Sequence, residues 1–169
     1  MLGLSTLGIV HTAISLVALG AAIIALVRYK EISPRTLSGK TYVITTILTC
    51  LTGFGIFRNG TFGPPHILGV ITLVVLAVAW AAKATKMFGR ASPYVETVAY
   101  SATVFFHLVP AFTETLTRLP VGAPVASGPN DPILQGPIGV SFVAFLVGAT
   151  LQVLRLRAAA AATRRVLPA

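Results

Sequence analysis

The sequence predicts an all-α integral membrane protein, a polytopic bundle of about five transmembrane helices. The 169 residues are 55% hydrophobic and only 10% charged, with a mean hydropathy of +0.86. An ordinary soluble domain is about a quarter charged. The charges are also concentrated between long apolar runs, each long enough to cross a ~30 Å hydrocarbon core at 1.5 Å per residue. The whole chain, 1–169, is therefore predicted to form a single transmembrane domain.

Five apolar runs are predicted as membrane spans, and turn-forming residues separate them. The predicted helices cover about residues 4–28, 41–57, 66–84, 93–113 and 137–156. Ser92-Pro93 is a good cap and first-turn pair for the fourth helix. The segment of about 114–136 is rich in Pro and Gly, so it is predicted to be an outer loop with little regular structure.

The first predicted helix lies where a signal peptide would, but it is predicted to be a transmembrane helix that is retained. It lacks a basic segment in front of it, and its apolar stretch is too long for a signal peptide. It is also rich in small residues, which allow close approach of helices in lipid. These residues are Ala13, Ser15, Ala18, Gly20, Ala21 and Ala22.

The basic residues predict the orientation of the bundle. Eleven of the thirteen fall on one side of the predicted membrane: Arg28, Lys30, Arg35, Lys40, Lys83, Lys86, Arg90, Arg155, Arg157, Arg164 and Arg165. Only Arg58 and Arg118 fall on the other side. The positive-inside rule then places the N-terminus outside and the C-terminus in the cytoplasm. This loop bias accounts for the net charge of +9, so nucleic acid is not predicted as a partner.

Several classes of catalytic site are excluded by the residues present. Cys50 is the only cysteine, so neither an internal disulfide nor a cage of thiolate metal ligands can form. The chain has no dinucleotide-binding glycine motif, phosphate-binding loop, zinc-protease motif or nucleophile elbow. No reaction is therefore indicated, and the chain is not predicted to be an enzyme by itself.

Three histidines carry the chemical interest of the sequence, and the predicted topology places all three in the outer half of the membrane. His11 lies in the first predicted helix, His66 opens the third and His107 lies in the fourth. A polar side chain at such depth is costly unless it has a partner or a water-filled cavity. We therefore predict that His11 and His107 point into the bundle and share a site, with His66 as the outer candidate.

A stripe of polar residues marks one face of the fourth predicted helix. Glu96, Tyr100, Thr103, His107 and Glu114 fall at offsets 0, 4, 7, 11 and 18, which keeps them on one side of a helix. The stripe is explained either as an interior face that satisfies its own hydrogen bonds or as a path for a ligand or for protons.

Two other polar groups are interpreted structurally. Thr45, Thr46, Thr49 and Thr52 are expected to hydrogen-bond to the backbone of their own helix. Tyr42, Tyr94 and Trp80 are expected to be anchors at the membrane interface.

The order of the polar landmarks resembles a family of small bacterial multi-pass membrane proteins of unknown function. The likeness covers about residues 8–120, and it rests on these segments: His11, Tyr29-Lys30, Ser38-Gly39-Lys40-Thr41-Tyr42, Thr52-Gly53, Arg58-Asn59-Gly60, Phe62-Gly63, His66-Ile67-Leu68 and Thr115 to Pro120. It implies a location in the bacterial inner membrane, and it carries over His11 and His66. Members of that family often have a histidine just before an arginine in the first cytoplasmic loop, where this chain has Pro34 before Arg35. His107 has no counterpart in the family pattern.

Two functions follow as hypotheses. The first is a small redox-linked protein that holds haem b between two of the histidines His11, His66 and His107, or Zn or Cu in a small-metal variant. The second is a non-catalytic accessory or assembly subunit, since so little of the chain lies outside the predicted bilayer; its partners are lipid, other membrane subunits or further copies of the chain. A transporter is a third possibility, with the stripe as its path.

Overall fold

The computed structural model describes residues 5–57 and 61–166, and over those residues the chain is helical without any strand. Five α-helices follow one another: α1 (Thr6–Tyr29), α2 (Leu37–Gly53), α3 (Pro64–Thr85), α4 (Ser92–Leu116) and α5 (Gln135–Val166). Short 3₁₀ turns at Gly89–Ala91 and Pro132–Leu134 precede α4 and α5. The predicted all-α fold class is confirmed. Arg58, which the charge pattern assigns to the outer side, lies outside the described residues.

Four of the five helices are long and apolar enough to cross a membrane. They are α1, α3, α4 with the turn before it, and α5 with the turn before it. The remaining helix, α2, has 17 residues, slightly fewer than the roughly 20 that a ~30 Å core requires. The membrane assignment is thus supported by length and composition for four predicted spans. The predicted orientation stays a prediction.

The helix boundaries differ from the predicted ones in α2, α4 and α5. α2 ends at Gly53 instead of near 57, and α4 continues to Leu116, into the predicted loop of 114–136. α2 begins four residues earlier than expected, because the Thr36 hydroxyl caps it by accepting a hydrogen bond from the Gly39 amide at 3.1 Å. α5 continues to Val166 instead of ending near 156, since the alanine-rich stretch at 158–162 strongly favours helix. The segment between α4 and Pro132 contains no regular element, as predicted.

The core forms where small residues of α1 meet α2. Ala18, Ala21, Ala22 and Ala25 are 0–7% exposed and belong to one apolar cluster with Tyr42. The absence of bulky side chains here allows the backbones to approach closely, which is how helices associate in lipid. The predicted role of small residues in α1 is confirmed for Ala18, Ala21 and Ala22, whereas Ala13 and Gly20 are exposed.

The helices pack largely in chain order, with α4 at the centre. α4 contacts α1, α3 and α5, whereas α5 packs on α4 and on the 3₁₀ turn that precedes it. We call the end of the bundle that holds the 30–36 and 86–91 connections the basic end. The opposite end, which holds the 117–131 segment, is the loop end.

Candidate functional site

A band of hydrogen-bonded polar side chains joins α1, α2 and α4 inside the bundle. We call it the polar seam, and it consists of His11, Ser15, Tyr42, Thr46, Thr49, Thr52, Thr103 and His107. Polar groups inside a membrane have to bond to one another because no bulk water is present to do so. The seam is therefore the place where the chemistry of this chain is concentrated.

One face of α2 organises the seam. Thr46, Thr49 and Thr52 recur every three residues, so their side chains lie along one side of the helix. Thr46 Oγ1 lies 3.1 Å from His107 Nε2, and Thr52 Oγ1 lies 3.1 Å from His11 Nδ1. Between them, the Ser15 hydroxyl lies 3.3 Å from Thr49 Oγ1. Both imidazoles are thus bound to the same face of α2, from α1 on one side and α4 on the other.

The hydrogen bonds of Thr52 determine the tautomer of His11. The Thr52 hydroxyl has a single proton, which it donates to the Leu48 carbonyl at 2.8 Å. Thr52 Oγ1 can then only accept, so His11 Nδ1 carries the proton that it donates. His11 Nε2 is left with its lone pair. Gly53 makes room for this ring, since a Cβ at that position would lie 3.2 Å from His11 Cε1.

A second hydrogen bond couples α2 to α4 next to the first. The Tyr42 hydroxyl lies 2.6 Å from Thr103 Oγ1, and both side chains are fully buried. Thr103 donates its own proton to the Tyr100 carbonyl at 2.7 Å, so Tyr42 is the donor of the pair. The expectation that Tyr42 anchors the chain at the membrane interface is wrong, because its ring is enclosed in the core.

The two seam histidines bond to the same face of α2 but differ in burial. His107 is 7% exposed, whereas His11 is half-buried. The Tyr42 ring packs beside His107 with 6.0 Å between centroids. The structure thus brings together two of the three histidines that the sequence singles out.

His66 occupies a different environment at the start of α3. Its ring is stacked between Phe57 and Phe62, with centroid distances of 4.9 and 4.8 Å. The Gly63 amide donates to His66 Nδ1 at 3.1 Å, so the ring proton resides on Nε2. Within the described residues Nε2 is buried without a hydrogen-bond partner. For His66 to bind a metal through either nitrogen, the Gly63 hydrogen bond has to break.

The stripe on α4 extends the seam towards both ends of the bundle. Glu96, Tyr100, Thr103 and His107 are all buried. Glu96 lies at the basic end between two cations, 3.8 Å from Arg35 and 3.9 Å from Lys83. At the loop end Glu114 pairs with Arg118, one helical turn further on. One face of α4 is therefore polar and buried from Glu96 to His107, and it reaches the exposed Glu114 at the loop end.

The described residues contain no cluster of three or more His, Cys, Asp or Glu side chains placed to hold a metal ion. Two cavities, of about 210 and 140 Å³, lie beside α5 and are lined by residues other than the histidines. Cys50 is a buried free thiol. The haem b, Zn and Cu expectations stay predictions.

Sequence reasoning missed the role of the α2 threonines. Thr45 and Thr52 do hydrogen-bond to their own helix, at 2.7 Å and 2.8 Å from the Thr41 and Leu48 carbonyls. Thr46 and Thr49, however, face neighbouring helices and meet His107 and Ser15. The spacing 46, 49, 52 was the available signal, because it places three hydroxyls on one helix face within an otherwise apolar segment.

Comparison with known proteins identifies no relative for this chain. No family model matches it, and neither a curated protein nor a solved structure does. What can be said of its function therefore rests on the polar seam and on the charged groups at its two ends.

Proposed function

We propose that this chain is an integral membrane protein whose polar seam conducts protons between the basic end and the loop end. The observation that carries the proposal is the row of exchangeable groups along α4, which is buried from Glu96 to His107 and ends at the exposed Glu114. Glu96 and Glu114 are 18 positions apart on α4, which corresponds to ~27 Å along a helix axis. That distance is most of a ~30 Å hydrocarbon core.

The residues of the seam suit proton transfer because each can accept and donate. His11 accepts a proton at Nε2, where its lone pair is available, and the resulting imidazolium releases one to the next acceptor. Hydroxyl groups exchange protons without a lasting charge, and Tyr42, Thr46 and Thr103 supply them around His107. Water molecules bridge the remaining intervals, as they do in other buried polar sites.

The two carboxylates serve as the terminal proton-exchange groups. Glu96 sits between Arg35 and Lys83 at the basic end. Glu114 takes the corresponding place at the loop end, where it pairs with Arg118. Ionisable residues that face the inside of a membrane bundle commonly form such relays. The same path also serves a transporter that couples a solute to proton movement.

The test is proton flux through the complete chain in liposomes. A potassium gradient with valinomycin drives protons, and an internal pH-sensitive dye reports them. We expect flux well above that of protein-free liposomes, and a loss of about ten-fold in Thr46→Val and in His107→Ala. Thr150→Val is the matched control, because the Thr150 hydroxyl is exposed and bonds only to the Leu146 carbonyl. Flux equal to protein-free liposomes, or an equal loss in the control, would exclude a proton path through the seam.

Haem b, or Zn or Cu, bound by His11 and His107 is the second candidate. It is favoured by the free lone pair on His11 Nε2 and by the convergence of both rings on one face of α2. Ligation by His107 through Nε2 requires loss of its bond to Thr46. Oxidised and reduced absorption spectra and metal analysis of the purified chain test this candidate. A Soret band or a bound metal that disappears in both His11→Ala and His107→Ala would favour it over the proton path.

A further inference from the structure

A groove runs along the side of the bundle away from the polar seam, between α1 and α5. No Cα atom of α5 comes within 8 Å of α1 in the described parts of the chain. α4 forms the floor of the groove, and hydrogen bonds join the two walls at the basic end. There the Gln152 side chain donates to the Lys30 carbonyl at 3.0 Å, and Arg155 Nη1 donates to the Tyr29 carbonyl at 2.7 Å.

The middle of this groove is an apolar cavity of about 210 Å³. Leu26 of α1, Val104, Phe105 and Leu108 of α4, and Phe145 of α5 contribute its large side chains. The α5 wall is otherwise built from small residues, since Ala144, Gly148 and Ala149 also line it. A Cβ added at Gly148 would meet no atom within 4 Å. The space is therefore an elongated apolar slot rather than a packing defect of one methyl group.

The groove changes character where it reaches the basic end. A second cavity of about 140 Å³ lies there, and Gln152 lines both cavities. The smaller cavity is also lined by Lys30, Arg155 and Thr97, together with one acidic residue, Glu31. Arg155 uses one N–H on Tyr29, so its guanidinium keeps further donors, and the ammonium of Lys30 keeps donors beyond its bond to the Val27 carbonyl. Arg28 adds positive charge at the same end.

We propose that this groove binds one anionic phospholipid, independently of the proton path. One acyl chain lies in the apolar cavity, and the phosphate of the headgroup is bound by Arg155 and Lys30 in the polar cavity. An apolar cavity followed by a polar, basic cavity matches a ligand with an apolar tail and a charged head. The basic cavity lies at the end of the bundle, at the depth expected for lipid headgroups. Basic pockets between transmembrane helices are known to bind anionic headgroups in this way.

The chemistry favours an anionic lipid over a zwitterionic one. Two cations against one carboxylate leave a net positive charge in the polar cavity. Each cation near a membrane surface attracts anionic lipid by about 1 kcal/mol. A zwitterionic lipid with the same acyl chains fills the apolar cavity equally well, but its quaternary ammonium group offsets the attraction of the phosphate.

Native mass spectrometry of the complete chain in mild detergent tests the proposal, with phosphatidylglycerol and phosphatidylcholine of identical acyl chains as probes. We expect one phosphatidylglycerol per chain, bound more tightly than phosphatidylcholine. Arg155→Ala should weaken phosphatidylglycerol binding about five-fold, the factor that corresponds to about 1 kcal/mol, and Arg155→Lys should retain it. Arg157→Ala is the matched control, because Arg157 is exposed on the same helix and does not line either cavity.

A groove-filling variant separates lipid binding from other occupants. Gly148→Leu places a side chain in the apolar cavity without a backbone clash, so it should lower binding of both lipids. Equal affinity for the two lipids in the native chain would overturn the proposal, as would unchanged phosphatidylglycerol binding in Arg155→Ala. A dimer that Gly148→Leu dissociates would mean that a second copy occupies the groove, which also overturns it. Thermal unfolding of each variant shows whether a loss of binding reflects loss of fold.

Discussion

The hydroxyl of Tyr42 donates a hydrogen bond to Thr103 Oγ1 over 2.6 Å, and both side chains are completely enclosed. This bond joins α2 to α4 beside the point where His107 meets Thr46. Two adjacent polar contacts thus hold α2 against α4. The residues of α1 that pack around Tyr42 are mainly alanines. Specific pairing of α2 with α4 therefore depends on hydrogen bonds as well as on packing.

Removal of the Tyr42 hydroxyl should weaken the bundle by an amount that a double-mutant cycle can isolate. We expect Tyr42→Phe to lower the free energy of unfolding by about 1 kcal/mol, because Thr103 loses its donor. In Thr103→Val the further effect of Tyr42→Phe should largely disappear. Unfolding in mixed detergent micelles provides the measurement. Additive effects of the two substitutions would contradict an energetic role for this bond.

Gly39 should be intolerant of any side chain. A Cβ at this position would lie 2.0 Å from the Ser33 carbonyl oxygen, which is backbone and cannot easily move. We expect Gly39→Ala to lower the unfolding free energy by about 2 kcal/mol or more, as overpacking does. Gly20→Ala is the control, since its Cβ meets nothing within 4 Å and alanine favours helix by roughly 0.5–1 kcal/mol. Equal stability of the two variants would refute the close packing of the α1–α2 connection on α2.

Asp131 should give the segment before α5 a pH-dependent structure. Its carboxylate accepts from the Ser127 amide at 2.8 Å, the Ile133 amide at 3.0 Å and the Ser127 hydroxyl at 2.8 Å. These bonds, with the Ser127 amide the largest contributor, hold the pKa of Asp131 below its ordinary value of 3.8. Because the pKa is lowered in the folded state, the stabilisation is complete above about pH 4 and is lost as the pH falls through the folded pKa.

The measurement is an NMR titration of the Ser127 and Ile133 amide shifts. Both should move together with a midpoint below 3.8, and the transition should be missing in Asp131→Asn. A midpoint at or above the ordinary value would contradict the hydrogen-bonded arrangement of this segment.

The orientation of the bundle can be tested by cysteine labelling. On a Cys50→Ser background, Val125→Cys should react with a membrane-impermeant maleimide from outside the cell, because Val125 is exposed at the loop end. Arg157→Cys, at the basic end, should react only after permeabilisation. The reverse pattern would overturn the orientation that the positive-inside rule predicts.

The sequence predicted the helices well because their apolar runs are long and their breaks contain Pro and Gly. Helix ends were less accurate: the Thr36 cap moved the start of α2, and alanines extended α5. At the site, the offsets along α4 correctly identified Glu96, Tyr100, Thr103 and His107 as one buried face, whereas Glu114, the last residue of the predicted stripe, is exposed. The partners on α2 could not be assigned in the same way, because the pairing of His107 with Thr46 depends on how two helices are rotated against each other.

In the predicted five-span arrangement, the shortness of α2 has a consequence for the membrane around the protein. Its 17 residues extend only ~25 Å at 1.5 Å per residue, which is less than the apolar thickness of an average bilayer. Such hydrophobic mismatch is relieved when the surrounding lipid thins or when flanking polar residues reach towards the headgroups. A locally thinned bilayer brings the aqueous phases closer together on the side of α2, the helix that carries the threonines of the polar seam. In that arrangement the proposed proton flux should decrease as the acyl chains of the host lipid are lengthened.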